Sequence, residues 1–415
     1  MRLKHRHIAA ATIGNALEFY DFLIYALFAI QIGHAFFPTT SAYGSLMLSL
    51  ATFGAGFLTR PIGALVLGAY ADRSGRKPAM LLCLVLIGVS IAAMALIPSY
   101  SRIGIAAPVL AVIARLLQGF SLGGEVGSNT AFLTEAAGPE RRGGVVSWQM
   151  ASQLLALIVG SLVGVTLTAV MPPDQLDVYG WRIALLLGAA AVPFGLWLRT
   201  HLPETLPTRV EAIPPWGIAR HHWRVMVLGL VILAAATISQ YTITYVATYA
   251  QHTLHLSARA GFLAELASYL VGLPLVMLGG RLSDRWGRRP INIWSNFAFL
   301  IAIYPVFVWI ASARTAGALI AGMVLLSATA LFWAGSFCAA LAEALPVTIR
   351  SRGFGTVYAL AIAVFGGTTQ LVVTWLIHVT GSAIAPAWYL VTATAIAQVA
   401  LLLFPETAPK RLRPM

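Results

Sequence analysis

Charge is scarce in this sequence. Of its 415 residues, 27 are Lys or Arg and 14 are Asp or Glu, so 10% are charged while 59% are hydrophobic. An average soluble domain is roughly 25% charged. A chain this poor in charge cannot cover itself against water, and a separate soluble domain is excluded. Cysteine is nearly absent too. Cys83 and Cys338 sit in different apolar runs, which predicts neither a disulfide framework nor a metal cluster and leaves both as packing residues. No H-E-x-x-H, no G-x-S-x-G and no clustered His/Asp set occurs, so an integral-membrane enzyme acting on lipid has no visible catalytic group and remains only a remote alternative. The formal charge of +13 would suit nucleic acid, but the basic residues are scattered through short loops. They gather on no single face or tract, and no nucleic-acid partner is expected.

What the sequence does have is hydrophobic length. Apolar runs cover approximately 8–36, 43–70, 79–98, 104–135, 143–171, 180–199, 222–251, 259–280, 290–311, 316–345, 352–380 and 385–404. Each can cross about 30 Å of hydrocarbon as a helix. The expected class is all-α integral membrane, with twelve transmembrane helices. Arg2, Lys4 and Arg6 precede the first run as in a signal peptide, but that run contains Glu18 and Asp21 and lacks a small-residue cleavage site; it reads as a retained span. An even number of spans puts both termini on one side. Arg73, Arg76, Lys77, Arg141, Arg142, Arg281, Arg285, Arg288 and Arg289 fall in loops on that side, against Arg102, Arg182, Arg259 and Arg314 on the other. By the positive-inside rule both termini are cytoplasmic, in the cytoplasmic (inner) membrane.

The longest polar stretch, near 200–222, holds Pro203, Pro207, Pro214 and Pro215. It divides the chain into a six-helix bundle over 1–200, a cytoplasmic linker over 201–221 and a second six-helix bundle over 222–415. The halves repeat. Gly68 to Lys77, with Asp72, Arg73, Gly75 and Arg76, parallels Gly280 to Arg289, with Asp284, Arg285, Gly287 and Arg288. Glu135 before Arg141 and Arg142 parallels Glu343 before Arg350 and Arg352, and Pro203-Glu204-Thr205 parallels Pro405-Glu406-Thr407. Each pair is separated by half the helix count, the mark of a duplicated transporter.

The twice-present G-x-x-x-D-R-x-G-R-[RK] loop in a six-plus-six arrangement resembles the signature of the major facilitator superfamily, over essentially the whole chain. Gly14 to Phe22, Gly56 to Gly63 with Arg60-Pro61, and Arg115 to Glu125 with Gln118, Gly123 and Gly124 resemble its metabolite:proton symporter family. Among that family, the segments Phe53–Phe57, Ile97–Tyr100 and Arg115–Phe120 look most like bacterial citrate and tricarballylate proton symporters. Two departures stand out: Tyr70 occupies a position usually leucine, and no coiled-coil tail follows the last span, which disfavours osmosensing. The resemblance implies two pseudo-symmetric bundles in the major facilitator fold and a secondary active transporter, functional as a monomer, with the proton gradient in place of a cofactor.

The intramembrane polar residues are the candidate site. Asn15, Glu18 and Asp21 are spaced by three on span one, so they share a helix face that must avoid lipid. Arg115, Gln118, Glu125 and Asn129 form one stripe on span four. Arg115 presents a fork that fits a carboxylate. It is a substrate clamp or, alternatively, an ion-pair partner of Glu18, Asp21 or Glu125; the two states can alternate. Arg60 before the helix-bending Pro61 is a second cation, and Tyr241 and Tyr245 on span seven are neutral hydrogen-bonding groups. The expected substrate-binding set is Arg115, Gln118, Arg60, Asn15, Tyr241, Tyr245 and Asn129, with Glu18, Asp21 and Glu125 for proton coupling. Asp72, Arg73, Arg76, Glu135, Asp284, Arg285, Arg288 and Glu343 are expected to gate the cavity, and no metal site is expected. Proton-coupled symport of a citrate-like di- or tricarboxylate follows as the expected activity, with 2-oxoglutarate, shikimate or betaine/proline as alternative cargoes. Exchange is a further alternative that the lack of proline in span five, which has Gly160 and Gly164, weakly disfavours.

Overall fold

The computed structural model describes residues 16, 19–20, 24–63, 66–67, 70, 76–123, 130, 133–134, 137–200, 215–346 and 350–409. Among the described residues, the elements are helices joined by turns. A chain in lipid has no water to satisfy its backbone, so each span closes its own hydrogen bonds. In chain order they are α1 (Ala29–Phe36), α2 (Ala42–Leu58), α3 (Arg76–Leu96), α4 (Ala106–Leu122), α5 (Arg142–Val170), α6 (Trp181–Thr200), α7 (Pro215–Thr244), α8 (Ala258–Trp286), α9 (Arg288–Ala313), α10 (Ala316–Phe332, resuming as Ala334–Glu343), α11 (Arg350–Ala361, resuming as Gly367–Thr380) and α12 (Ala385–Leu403). Nine helices among the described residues are long and apolar enough to cross a membrane. With the shorter apolar helices Leu81–Leu96 and Ala106–Leu122 they fit a twelve-helix fold.

Helix ends follow local chemistry. Ser41, Ser257 and Thr315 cap α2, α8 and α10, their hydroxyls accepting the N–H of Gly44, Ala260 and Ala318. α5 and α9 begin without a side-chain cap of their own. Distant carboxylates serve them instead: Asp284 accepts the N–H of Gly143 and of Gly144, each at 2.9 Å, and Glu406 accepts those of Arg288 at 2.9 Å and Arg289 at 3.1 Å. An anion at a helix start meets both free N–H groups and the positive end of the helix dipole.

Close approach depends on missing side chains. A Cβ on Gly119 would lie 1.5 Å from the Gly56 carbonyl oxygen, and one on Gly63 would lie 1.8 Å from that of Phe120. α2 and α4 therefore touch backbone to backbone, as helices in lipid do where small residues line the seam. The Thr59 hydroxyl, just past the end of α2, donates to the Leu116 carbonyl at 2.7 Å.

The first and second halves meet at two seams. On one, α5 packs against α8 and the second part of α10, with Gly143 beside Gly280 and Ser147 beside Gly335. On the other, α2 packs against α11: a Cβ on Gly54 would lie 2.5 Å from the Gly367 carbonyl, and the Tyr43 and His378 rings stack at 3.8 Å and 14°. Gln31 of the first half donates to Gln251 of the second at 3.4 Å.

Candidate functional site

Two arginines are buried in the first half. Arg115, from the middle of α4, and Arg60, just beyond the end of α2, keep only 2% and 5% of their surface exposed. Aromatic faces cover both. The Arg115 guanidinium lies 4.5 Å from the Tyr25 ring centroid and 5.3 Å from that of Phe53, while Arg60 lies 4.7 Å from Phe57. Such contacts are worth about 0.5–2 kcal/mol each, well short of the several kcal/mol that burying an ion costs. The Gln118 carbonyl oxygen adds a hydrogen bond from Arg115 Nη1, one turn along the same helix face. The Arg60 and Arg115 charges act on one another and on the Tyr241 phenol.

Tyr241 connects this cationic cluster to an internal cavity. Its ring meets Phe57 edge to face at 5.5 Å and Phe53 at 6.0 Å, the same rings that cover the guanidiniums. Its other side lines a cavity of about 100 Å³ shared with Gln153 of α5, Gln240 of α7, Trp333 at the α10 break and Tyr358 of α11. The Gln153 amide donates to the Tyr358 hydroxyl at 3.4 Å across the halves. Gln240 Nε2 and Trp333 Nε1 are buried and make no hydrogen bond among the described residues. Buried donors of this kind are costly unless something accepts from them. The wall thus offers neutral donors beside two permanent cations, a setting made for an anion with several oxygens.

At the far end of α8 lies an ionic network. Arg288, fully buried, pairs with Asp284 at 2.8 Å and reaches Glu343 through Nη2 and Nε, both at 3.1 Å. Glu343 also accepts from Thr407 at 3.0 Å, and Arg350 donates to the Ala342 carbonyl at 2.6 Å. Asp284 belongs to the second half, whereas the Gly143 and Gly144 amides it accepts belong to the first. The network therefore fastens the α5–α8 seam.

A family model described as "Sugar (and other) transporter" matches residues 7–207 and 216–415. A citrate-proton symporter of Salmonella typhi is 37% identical over 392 residues, covering 93% of this chain and 90% of that protein. One from Klebsiella pneumoniae is 38% identical over 397 residues, covering 92% and 88%. The solved structure of the major facilitator superfamily proton:xylose symporter XylE superposes with a TM-score of 0.78 at 17% identity, covering 97% of this chain and 96% of that one. The chain belongs to the major facilitator superfamily. It is a multi-pass membrane transporter and not an enzyme, as expected from the duplicated loops.

In this major facilitator transporter, Arg60, Arg115, Gln118 and Tyr241 come together as one cluster. Tyr245 lies apart from the cavity wall: its hydroxyl accepts from Thr374 of α11 at 2.8 Å, tying α7 to α11. Asp284, Arg288 and Glu343 form the network above, while Arg285 projects outward, exposed. Asn15, Glu18, Asp21, Asp72, Arg73, Glu125, Asn129 and Glu135 lie outside the described residues, as does the Arg76 side chain. Cys83 and Cys338 are buried and free of disulfides.

Sequence reasoning missed the aromatic cover. Tyr25, Phe53 and Phe57 read as ordinary apolar residues in apolar spans, and no periodicity says which ring faces a guanidinium. Gln153 carried a usable signal, since an amide inside a long apolar run needs a partner. Glu406 also carried one: its repeat was visible, but its task as the cap of α9 needs the chain folded back over more than a hundred residues.

Proposed function

We propose that this transporter is a proton-coupled symporter of a citrate-like di- or tricarboxylate, working by alternating access of two six-helix bundles, 1–200 and 222–415, joined by a cytoplasmic linker. The observation that carries the reading is the pair of buried guanidiniums, Arg60 and Arg115, separated from a central cavity by Tyr241. A carboxylate of the substrate displaces the aromatic cover and meets the Arg115 fork; a second carboxylate meets Arg60, and Gln240 and Trp333 donate to the remaining oxygens. Two cations in a low-dielectric site favour a multivalent anion over a zwitterion, whose quaternary nitrogen would face the guanidiniums. The similarity to two citrate-proton symporters supports the same cargo.

Glu18, Asp21 and Glu125 carry the coupled proton in this reading, while Asn15 and Asn129 belong to the substrate-binding set. Both termini face the cytoplasm, so the Arg288 network closes the cytoplasmic side; the monomer suffices, and no cofactor beyond the proton gradient takes part. Radiolabelled citrate uptake into proteoliposomes with an inward proton gradient tests the whole. Accumulation that collapses with a protonophore, and is competed by tricarballylate but not by betaine or shikimate, is expected. Gradient-independent uptake, or stronger competition by betaine, would overturn it.

A further inference from the structure

One buried acid is not used by any of this. Glu265, on α8, is completely buried. Its Oε1 accepts the Ala247 N–H at 3.3 Å, in the turn Val246–Thr248 that follows the end of α7. Its Oε2 and the hydroxyl of Ser161 on α5, which interacts with Glu265 from the other half, are both buried, and neither has any further hydrogen-bond partner among the described residues. No charged side chain among the described residues acts on it; α7 offers only the Ala247 amide and α5 only Ser161. The titratable neighbour is Tyr269, one turn along α8, whose hydroxyl bonds Thr244 at the α7 end at 3.2 Å.

The surroundings are tight on both sides. A Cβ on Gly261 would lie 2.7 Å from Ala247 Cα, and the Phe262 ring fills the space a Cβ would take on Gly164 of α5. Phe262 also meets Phe28, at the start of α1, at 5.2 Å. Glu265 thus sits where the break in α7, the seam to α5 and the first span converge. An ionised carboxylate enclosed this way finds no compensating cation among the described residues, whereas a carboxylic acid is neutral and has an O–H to give to Ser161. Hydration of the group requires α5 and α8 to part or the α7 break to shift.

We propose that Glu265 is a proton-binding site of the transport cycle, loaded from water while the seam is open and held as the acid when α5 closes on α8. When the halves next open toward the opposite side of the membrane, water there takes the proton from Oε2 and the carboxylate is left hydrated, so proton movement is tied to the motion of the halves. As a coupling site this rests on the symport reading above; as a proton site it does not.

The test uses the purified full-length protein and the variants Glu265→Gln, which keeps shape and cannot ionise, and Ser161→Ala. Infrared difference spectra between acid and alkaline buffer, without substrate, are expected to show a protonated-carboxyl C=O band that Glu265→Gln removes and Ser161→Ala shifts. In proteoliposomes, Glu265→Gln is expected to exchange citrate across the membrane at the wild-type rate but to lose gradient-driven accumulation. A band unchanged in both variants overturns the proton site. A Glu265→Gln protein that accumulates citrate like wild type overturns its coupling role. Wild-type protein that moves no citrate at all fails the substrate reading instead, and the infrared band then decides Glu265 alone. If Glu265→Gln does not fold, the shift in Ser161→Ala carries the decision.

Discussion

Asp284 and Gly143 are joined across the two halves of the transporter, the carboxylate Oδ1 accepting the Gly143 N–H at 2.9 Å. The aspartate ends a helix of the second half and caps the first turn of a helix in the first. Because Arg288 holds the same oxygen at 2.8 Å, the cap is fixed in place and oriented at once. A duplicated loop motif thus does more than mark topology: its aspartate supplies the helix start that α5 does not supply for itself.

Asp284→Asn should loosen this seam without unfolding the chain. It removes a charge-assisted acceptor and leaves Arg288 with Glu343, a change of about 1–3 kcal/mol and so roughly 5- to 150-fold in the open population. Ser147 is fully buried at the seam, against Gly280 and Gly335. In a background with Cys83→Ala and Cys338→Ala, alkylation of Ser147→Cys should quicken about tenfold when Asp284→Asn is added. An unchanged rate would show that the cap does not hold the closed state.

Arg115→Lys keeps the charge yet should cripple transport. Lysine lacks the planar fork that grips a carboxylate with two bonds, and its ammonium is more strongly hydrated than a guanidinium between aromatic faces. Losing one charge-assisted bond of about 1.5–3 kcal/mol predicts a KM for citrate raised roughly 10- to 100-fold in uptake kinetics. Wild-type KM in Arg115→Lys would mean that the arginine only holds helices together.

Two glycine substitutions should fail in different ways. Gly119→Val drives a side chain into the Gly56 carbonyl, within one half, where nothing separates during function. Its protein should be aggregated on size exclusion or melt well below wild type. Gly54→Val meets the Gly367 carbonyl across the halves, which must part in any alternating-access cycle. It should fold, stay open at the α2–α11 seam and raise alkylation of Gln31→Cys, a position 2% exposed in the closed seam. If both variants fold equally well, the two seams are not mechanically distinct.

The fold was legible because lipid imposes a length and a polarity rule on every span, and because the Asp284 and Asp72 loops repeat in register. Arg115 and Arg60 stood out for the same reason, as charges where hydrocarbon would reject them. The role of Tyr241 as the partition between guanidiniums and cavity was not legible, since a tyrosine in an apolar span is compatible with any face. Nor was the parting of Tyr245 from Tyr241. The two are one helical turn apart, the Tyr245 N–H still bonded to the Tyr241 carbonyl at 3.0 Å, yet that one turn takes Tyr245 off the cavity wall and into reach of Thr374.

His252 should set an acid limit on stability. It lies in the turn Tyr249–Thr253 beyond the end of α7, half-buried and near His255 and His378. Burial first, and then the two neighbouring imidazoles, hold its proton affinity below the ordinary histidine value. The unfolded chain therefore binds a proton here more readily than the folded one. Stability from this group is complete above the ordinary imidazole value of about 6.5 and drains away as pH falls through the lower folded value. Thermal melts of wild type and His252→Gln at about pH 7.5 and about pH 5.5 read this directly. The drop in melting temperature on acidification should be smaller in His252→Gln; an equal drop would place the acid sensitivity elsewhere.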